Sequence, residues 1–158
     1  MRQMTQDSVV DIESLDHAKI LMDSVSSSID YKVPFGDTDA MGVVHHSNYM
    51  KYLEICRTAF LEEHDVSYTA YMQKGIHICV TSLGVEYLRP CYFNDTVNVV
   101  CWLEWVKNTS MKFKYVLKAN NNIVGAAWTS HACIDGKGSL RKLPAARKHA
   151  LSLLTASV

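Results

Sequence analysis

No stretch of this chain reaches the roughly 18 consecutive apolar residues of a membrane-spanning helix, so no membrane span is expected. Charge of one sign is lacking too: 16 Lys and Arg balance 16 Asp and Glu. No broad field therefore draws nucleic acid or an anionic membrane, and any anionic ligand must be held by a local patch. There is no Cys-x-x-Cys pair, and His45 and His46 are adjacent rather than at the i, i+4 spacing of helical metal ligands. Neither a metal nor another cofactor is called for. Cys56, Cys79, Cys91, Cys101 and Cys133 are an odd, scattered set inside mostly apolar runs, and read as reduced, buried small hydrophobes. The acidic start (Asp7, Asp11, Glu13) is unlike a signal peptide, which makes a cytoplasmic protein the expectation. Internal repeats, low-complexity tracts and a Pro/Gly/Ser-rich linker are all missing, so one domain is expected.

What is present suits such a domain. The 158 residues are 48% hydrophobic and 20% charged, enough to build a core and too apolar for a disordered chain. Residues 1–28, ending in Ser24, Ser26, Ser27 and Ser28, read as an N-terminal extension, with a short amphipathic helix through Ile12, Leu15, Ile20, Leu21 and Met22 as one option. Residues 29–158 form the domain.

Its first segment, Ile29 to Phe35, alternates as a strand and runs into the turn-rich Gly36-Asp37-Thr38-Asp39-Ala40-Met41-Gly42. The strongest helix follows. Asn48 suits an N-cap, and Tyr49, Tyr52, Leu53, Cys56 and Phe60 recur at spacings of three and four, with Glu54 and Arg57 expected to pair at i, i+3. A shorter helix over Tyr68 to Gln73 stops at Lys74-Gly75. From there the period becomes 2. Ile76, Ile78 and Val80 share one phase and Leu83, Val85 and Tyr87 the other, predicting a bulge near Ser82. Val97, Val99, Cys101, Leu103 and Trp105 make the next face; Met111, Phe113, Tyr115 and Leu117 make another, opposed by lysines. Asn120-Asn121-Asn122 reads as a hairpin turn into Ile123–Ile134, and Pro144 opens a last helix. Strand, long helix, then about four strands on short connections specify an α+β domain, an antiparallel sheet wrapped around a long central helix, which is the hotdog fold.

The segment Phe35-Gly36-Asp37-Thr38-Asp39-Ala40-Met41-Gly42-Val43-Val44-His45-His46-Ser47-Asn48-Tyr49 resembles the signature of the 4-hydroxybenzoyl-CoA thioesterase family, and within it the Tol-Pal-associated bacterial acyl-CoA thioesterases. The likeness continues through Tyr52-Leu53-Glu54 to Arg57-Thr58 and, more loosely, over Val85 to Pro90 and Asn94-Asp95, covering about residues 29–144. It implies Asp39 as nucleophile or general base, the backbone N–H of His46 as a donor to the thioester carbonyl, and a place for the His46 side chain in the site. It also implies a homodimer or homotetramer, because one hotdog leaves a sheet edge unpaired and the family's site is incomplete in one copy. Phe35 departs from the tyrosine that the Tol-Pal-associated members often carry.

The chemistry is consistent with this. Thioester hydrolysis needs a group that attacks or activates water, donors for the oxyanion, and a leaving thiolate that requires little acid assistance. Asp39 supplies the first by either route, and the unpaired first-turn N–H groups of the long helix supply the second. Gly42 allows close backbone approach to the acyl group, and Tyr49 is placed to line the acyl pocket. Arg89, Arg141 and Lys142 are candidates for the CoA phosphates. Plainer roles compete at each position. Asp37 and Asp39 both suit turns that bond nearby N–H groups, with Asp37 assigned that role; His46 could serve through its backbone alone; and Glu54 reads as an ion-pair partner rather than a second catalytic carboxylate. The expected substrate is an acyl-CoA or acyl-carrier-protein thioester. The alternatives are a hotdog hydratase or dehydratase, and a non-catalytic module binding acyl-CoA or acyl-carrier protein.

Overall fold

The computed structural model describes residues 25–155. The helix considered within residues 12–22 lies outside them. The five strands, β1 (Ser26–Lys32), β2 (His77–Tyr87), β3 (Thr96–Val106), β4 (Ser110–Ala119) and β5 (Asn122–Ile134), form one antiparallel sheet in the order β1-β3-β4-β5-β2. Three helices accompany it: α1 (Asn48–His64), α2 (Tyr68–Gln73) and α3 (Ala145–Ser152). This is the α+β hotdog arrangement.

The alternation read in the sequence decides which sheet face is inner. Met111, Phe113, Tyr115 and Leu117 of β4 and Val97, Val99, Cys101 and Leu103 of β3 are all buried against α1 and its flanking elements. The α1 stripe Tyr49, Tyr52, Leu53, Cys56 and Phe60 meets them, with Phe60 edge-on to Phe113 at 5.4 Å and the Cys56 thiol donating to the Val99 carbonyl at 3.3 Å. Burying each such side chain contributes roughly 1.5–3 kcal/mol, so this interface fixes the helix on the sheet. The hairpin between β4 and β5 turns through Asn120 (φ 51°) and Asn121 (φ 62°), the left-handed pair that a two-residue turn demands. The predicted bulge lies between Val80 and Ser82, and Gly75 ends α2 at φ 67°. All five cysteines are free, four of them buried and Cys79 half-buried.

Three details differ from the expectation. Strand β1 starts at Ser26 rather than Ile29, so Ser26, Ser27 and Ser28 pair with Trp102, Cys101 and Val100; hydroxyl side chains hide a strand from a hydrophobic pattern. Phe35 leaves the strand for a 3-10 turn over Phe35–Asp37, where its ring is exposed against Phe93. The N-cap of α1 is Ser47, without a side-chain cap bond, and Asn48 is the first helical residue, its amide donating to the Asp37 carbonyl at 2.9 Å.

Candidate active site

The segment from Thr38 to Ser47 is a tight hairpin hung between β1 and α1. Asp39 N–H donates to the Val43 carbonyl at 2.8 Å and His45 N–H to the Asp37 carbonyl at 2.9 Å, closing it at Thr38 and Val44. Gly42 N–H returns to the Asp39 carbonyl at 2.9 Å, and Gly42 takes φ 77°. That positive φ requires the glycine within the protomer, since a Cβ there would meet no described protein atom within 4 Å. A second bridge, with Val44 N–H on the Cys91 carbonyl at 2.8 Å, ties the hairpin to the segment after β2.

These elements enclose a cleft of about 310 Å³ beside the start of α1. Its walls bring together Asp39, His46, Tyr49 and Arg89, four of the residues singled out from sequence, with Met41, Val43, Val44, Leu88 and Pro90 as apolar lining. Asp39 is half-buried, and one carboxylate oxygen accepts the Met41 N–H at 2.8 Å. It is thus a turn residue as well, but the other oxygen has no donor among the described residues. The His46 N–H likewise donates to no described acceptor, while its ring, exposed, stacks on His45 at 4.1 Å between centroids. Tyr49 is buried at the floor, and burial together with the adjacent Cys91 thiol pushes its phenol far above the usual range, so it stays neutral.

Two residues that shape the site escaped sequence reading. Tyr87, at the end of β2, donates its hydroxyl to the His46 carbonyl at 3.0 Å and packs edge-on to Tyr49, so it orients the peptide that starts the helix. Asp37, assigned above to a turn, is buried, and its carboxylate bonds side chains instead: Lys51 Nζ at 2.7 and 3.0 Å, the Tyr52 hydroxyl at 2.8 Å and the Tyr31 hydroxyl at 3.3 Å. Burial alone would raise its pKa, but the bonds from Lys51 and Tyr52 and the Lys51 charge outweigh that and hold it below the usual carboxylate value. The only sequence signal was Lys51-Tyr52 one helical turn past Asn48, which pairwise spacing does not connect to Asp37.

The expected Glu54–Arg57 pair is not formed: Glu54 is exposed, whereas Arg57 is buried beside His131. Arg141 and Lys142 are exposed just beyond the Ile134 end of β5, where Lys142 lines a second cleft of about 490 Å³ with Asn108, Lys148 and His149. Tyr87 of the active cleft pairs with Gly125 at the opposite end of β5. From Gly125 to Ile134 the strand runs about 30 Å at roughly 3.3 Å per residue, so within one protomer these two cations do not join the cleft.

An antiparallel sheet around a helix, with Asp39 and His46 lining one cleft at the helix start and an oxygen of the first and the N–H of the second unpaired among the described residues, fits a hotdog-fold domain of the thioesterase class. Residues 33–154 match the model of the thioesterase-like superfamily, and the chain belongs to that superfamily. The acyl-CoA thioester hydrolase YbgC of Escherichia coli O6:H1 is 30% identical over 66% of this chain and 78% of its own length. Among solved structures, TT1821 of Thermus thermophilus superimposes with a TM-score of 0.79 at 30% identity, covering 84% of this chain and 100% of that one. The DHNA-CoA thioesterase of Staphylococcus aureus does so at 0.73 and 25% identity, covering 75% and 80%.

Proposed function

We propose that this chain hydrolyses acyl-CoA thioesters in the cleft beside α1, with Asp39 as nucleophile or general base and the His46 N–H as an oxyanion donor. The observation that carries the reading is that one cleft is lined by both Asp39 and His46, with an Asp39 oxygen and the His46 N–H each left unpaired among the described residues. The names of the E. coli and S. aureus relatives support the same class of substrate. On the nucleophilic route the carboxylate adds to the thioester carbonyl, thiolate leaves, and water opens the mixed anhydride. On the general-base route Asp39 takes a proton from the water that attacks. In both, negative charge grows on the carbonyl oxygen, where one well-placed donor is typically worth about 3 kcal/mol. Met41, Val43, Leu88 and Pro90 line the acyl group's path, and Arg89 offers a fork to the CoA phosphates. His46 at the cleft favours the Tol-Pal-associated type within the superfamily.

The working unit in this proposal is a homodimer joined along β2, an eleven-residue edge strand. Antiparallel pairing of two β2 edges would set the His77 end of one copy beside the Tyr87 end of the other. Arg141 and Lys142 of the second copy would then reach the cleft of the first, giving them the phosphate role that they cannot fill within their own protomer.

Asp39→Asn tests the reading. Asparagine keeps the oxygen that accepts the Met41 N–H, so fold and ligand binding should survive while nucleophilic and basic capacity vanish. Thiol release across a panel of aliphatic and aromatic acyl-CoAs should show kcat reduced on the order of 10²–10⁴-fold. Turnover near the wild-type rate would remove the mechanism, and wild-type binding without turnover would favour a binding module.

A further inference from the structure

Arg57 is only 8% exposed and, among the described residues, has no carboxylate paired with it. Its Nη1 donates to His131 Nε2 at 3.4 Å; the same nitrogen accepts from the Thr129 hydroxyl at 2.7 Å, and Thr129 in turn takes the Tyr115 hydroxyl at 2.8 Å. None of these groups is an anion. Burial, then the Arg57 charge, push the His131 imidazole down to about 3, so it is neutral, and its buried Nδ1 has no partner among the described residues. A buried guanidinium left without a counter-charge is strongly destabilising.

Its place on α1 shows where a counter-charge would enter. Met50, Glu54 and Arg57 recur at spacings of four and three, one stripe beside the stripe that faces the sheet. The opposite flank carries Lys51 and Glu63, which bond to Asp37 and to Ser27 of β1. The Arg57 flank is therefore turned toward β5 and β2. Glu54 on it is exposed and joins no ion pair among the described residues. Beyond β5, Val80 and Leu83 of β2 pair with His131 and Thr129 and so share their face, yet they are 44% and 43% exposed.

We propose that a second copy of this chain docks along this flank and that its Glu54 carboxylate neutralises Arg57, the pair forming twice about a two-fold axis. The proposal rests on the dimer suggested above and adds the contact that specifies it. An acid and a base one turn apart on the same helical stripe suit self-complementary pairing, since residue i then meets j and j meets i. A small free anion would satisfy Arg57 but would leave Glu54, Val80 and Leu83 uncovered.

Sedimentation equilibrium of the full chain at micromolar concentration should show a dimer for the wild type. Glu54→Lys changes an exposed residue whose side chain makes no hydrogen bond or ion pair among the described residues, and should weaken self-association on the order of 10²-fold or more. Arg57→Glu should self-associate as poorly, and mixing the two variants should produce a heterodimer, because both contacts then join opposite charges. A monomeric wild type would overturn the dimer itself. A dimeric wild type with Glu54→Lys dimerising equally well, or two folded variants that fail to pair, would overturn this contact alone. Should Arg57→Glu not fold, the Glu54→Lys measurement decides.

Discussion

Replacing Asp37 by asparagine separates the support of the catalytic hairpin from its chemistry. The carboxylate accepts two short contacts from Lys51, one from the fully buried Tyr52 hydroxyl and a longer one from Tyr31. Asparagine retains an oxygen for Tyr52 but offers Lys51 either a neutral oxygen or an amide that clashes as donor against donor. A charge-assisted hydrogen bond is worth about 1.5–3 kcal/mol. Because the Lys51 side chain is 44% exposed and can turn to water, the low end of that range applies to it, with a smaller loss at Tyr52. The sum is about 2 kcal/mol, or a Tm lowered by about 4–8 °C for a chain of this size. The pH dependence has a definite sign. A folded-state pKa below the unfolded value of about 3.9 means that the Asp37 contribution is fully present above that value and is lost as pH falls through the folded value. Urea unfolding of both proteins from pH 7 to pH 3 should therefore show a gap of about 2 kcal/mol at neutrality that narrows in acid. A gap below about 0.5 kcal/mol at pH 7, or one that widens in acid, would refute the account of Asp37 as a stabilising ionised anchor.

Two further substitutions probe the cleft itself. Tyr87→Phe removes the hydroxyl that fixes the His46 carbonyl while keeping the ring on Tyr49; a hydrogen bond worth about 1 kcal/mol predicts a kcat about fivefold lower with KM little changed, and an unaltered kcat would show that Tyr87 does not orient the donor peptide. Arg89→Ala, and separately Arg141→Ala with Lys142→Ala, should each raise KM for acyl-CoA without altering turnover of a short thioester that lacks the nucleotide. An unchanged KM in either case would remove those residues from phosphate binding.

The elements were legible where one period ruled. The α1 stripe, the bulge near Ser82, the Asn120-Asn121 turn and the inward residues of β4 all follow from local spacing and turn chemistry. Asp39, His46, Tyr49 and Arg89 do line one cleft; the signature and the start of the helix singled out the first three, and the affinity of arginine for phosphate the fourth. What stayed hidden depends on contacts between distant segments. Nothing local to Asp37 announces that Lys51, Tyr52 and Tyr31 converge on it, and nothing local to Arg57 says that its guanidinium reaches His131 rather than Glu54. Tyr87 looked like one more alternating strand residue, because its use depends on where β2 ends relative to His46.

The sheet order also constrains how the chain can be made. Both outer strands, β1 and β2, precede β3, β4 and β5 in sequence, and among the described residues each pairs with just one of those later strands. During synthesis from the N-terminus, β1, α1 and β2 leave the ribosome with none of their sheet partners yet made, and Ile78 has no Cys133 beside it until the last strand is complete. The β3-β4-β5 meander, built on short connections, can close quickly once it emerges, whereas β1 and β2 must each be recruited across a long loop. The nascent first half is thus a period of exposed strand edges and an uncovered helix stripe, and chaperone dependence should be greatest for chains stalled before residue 134.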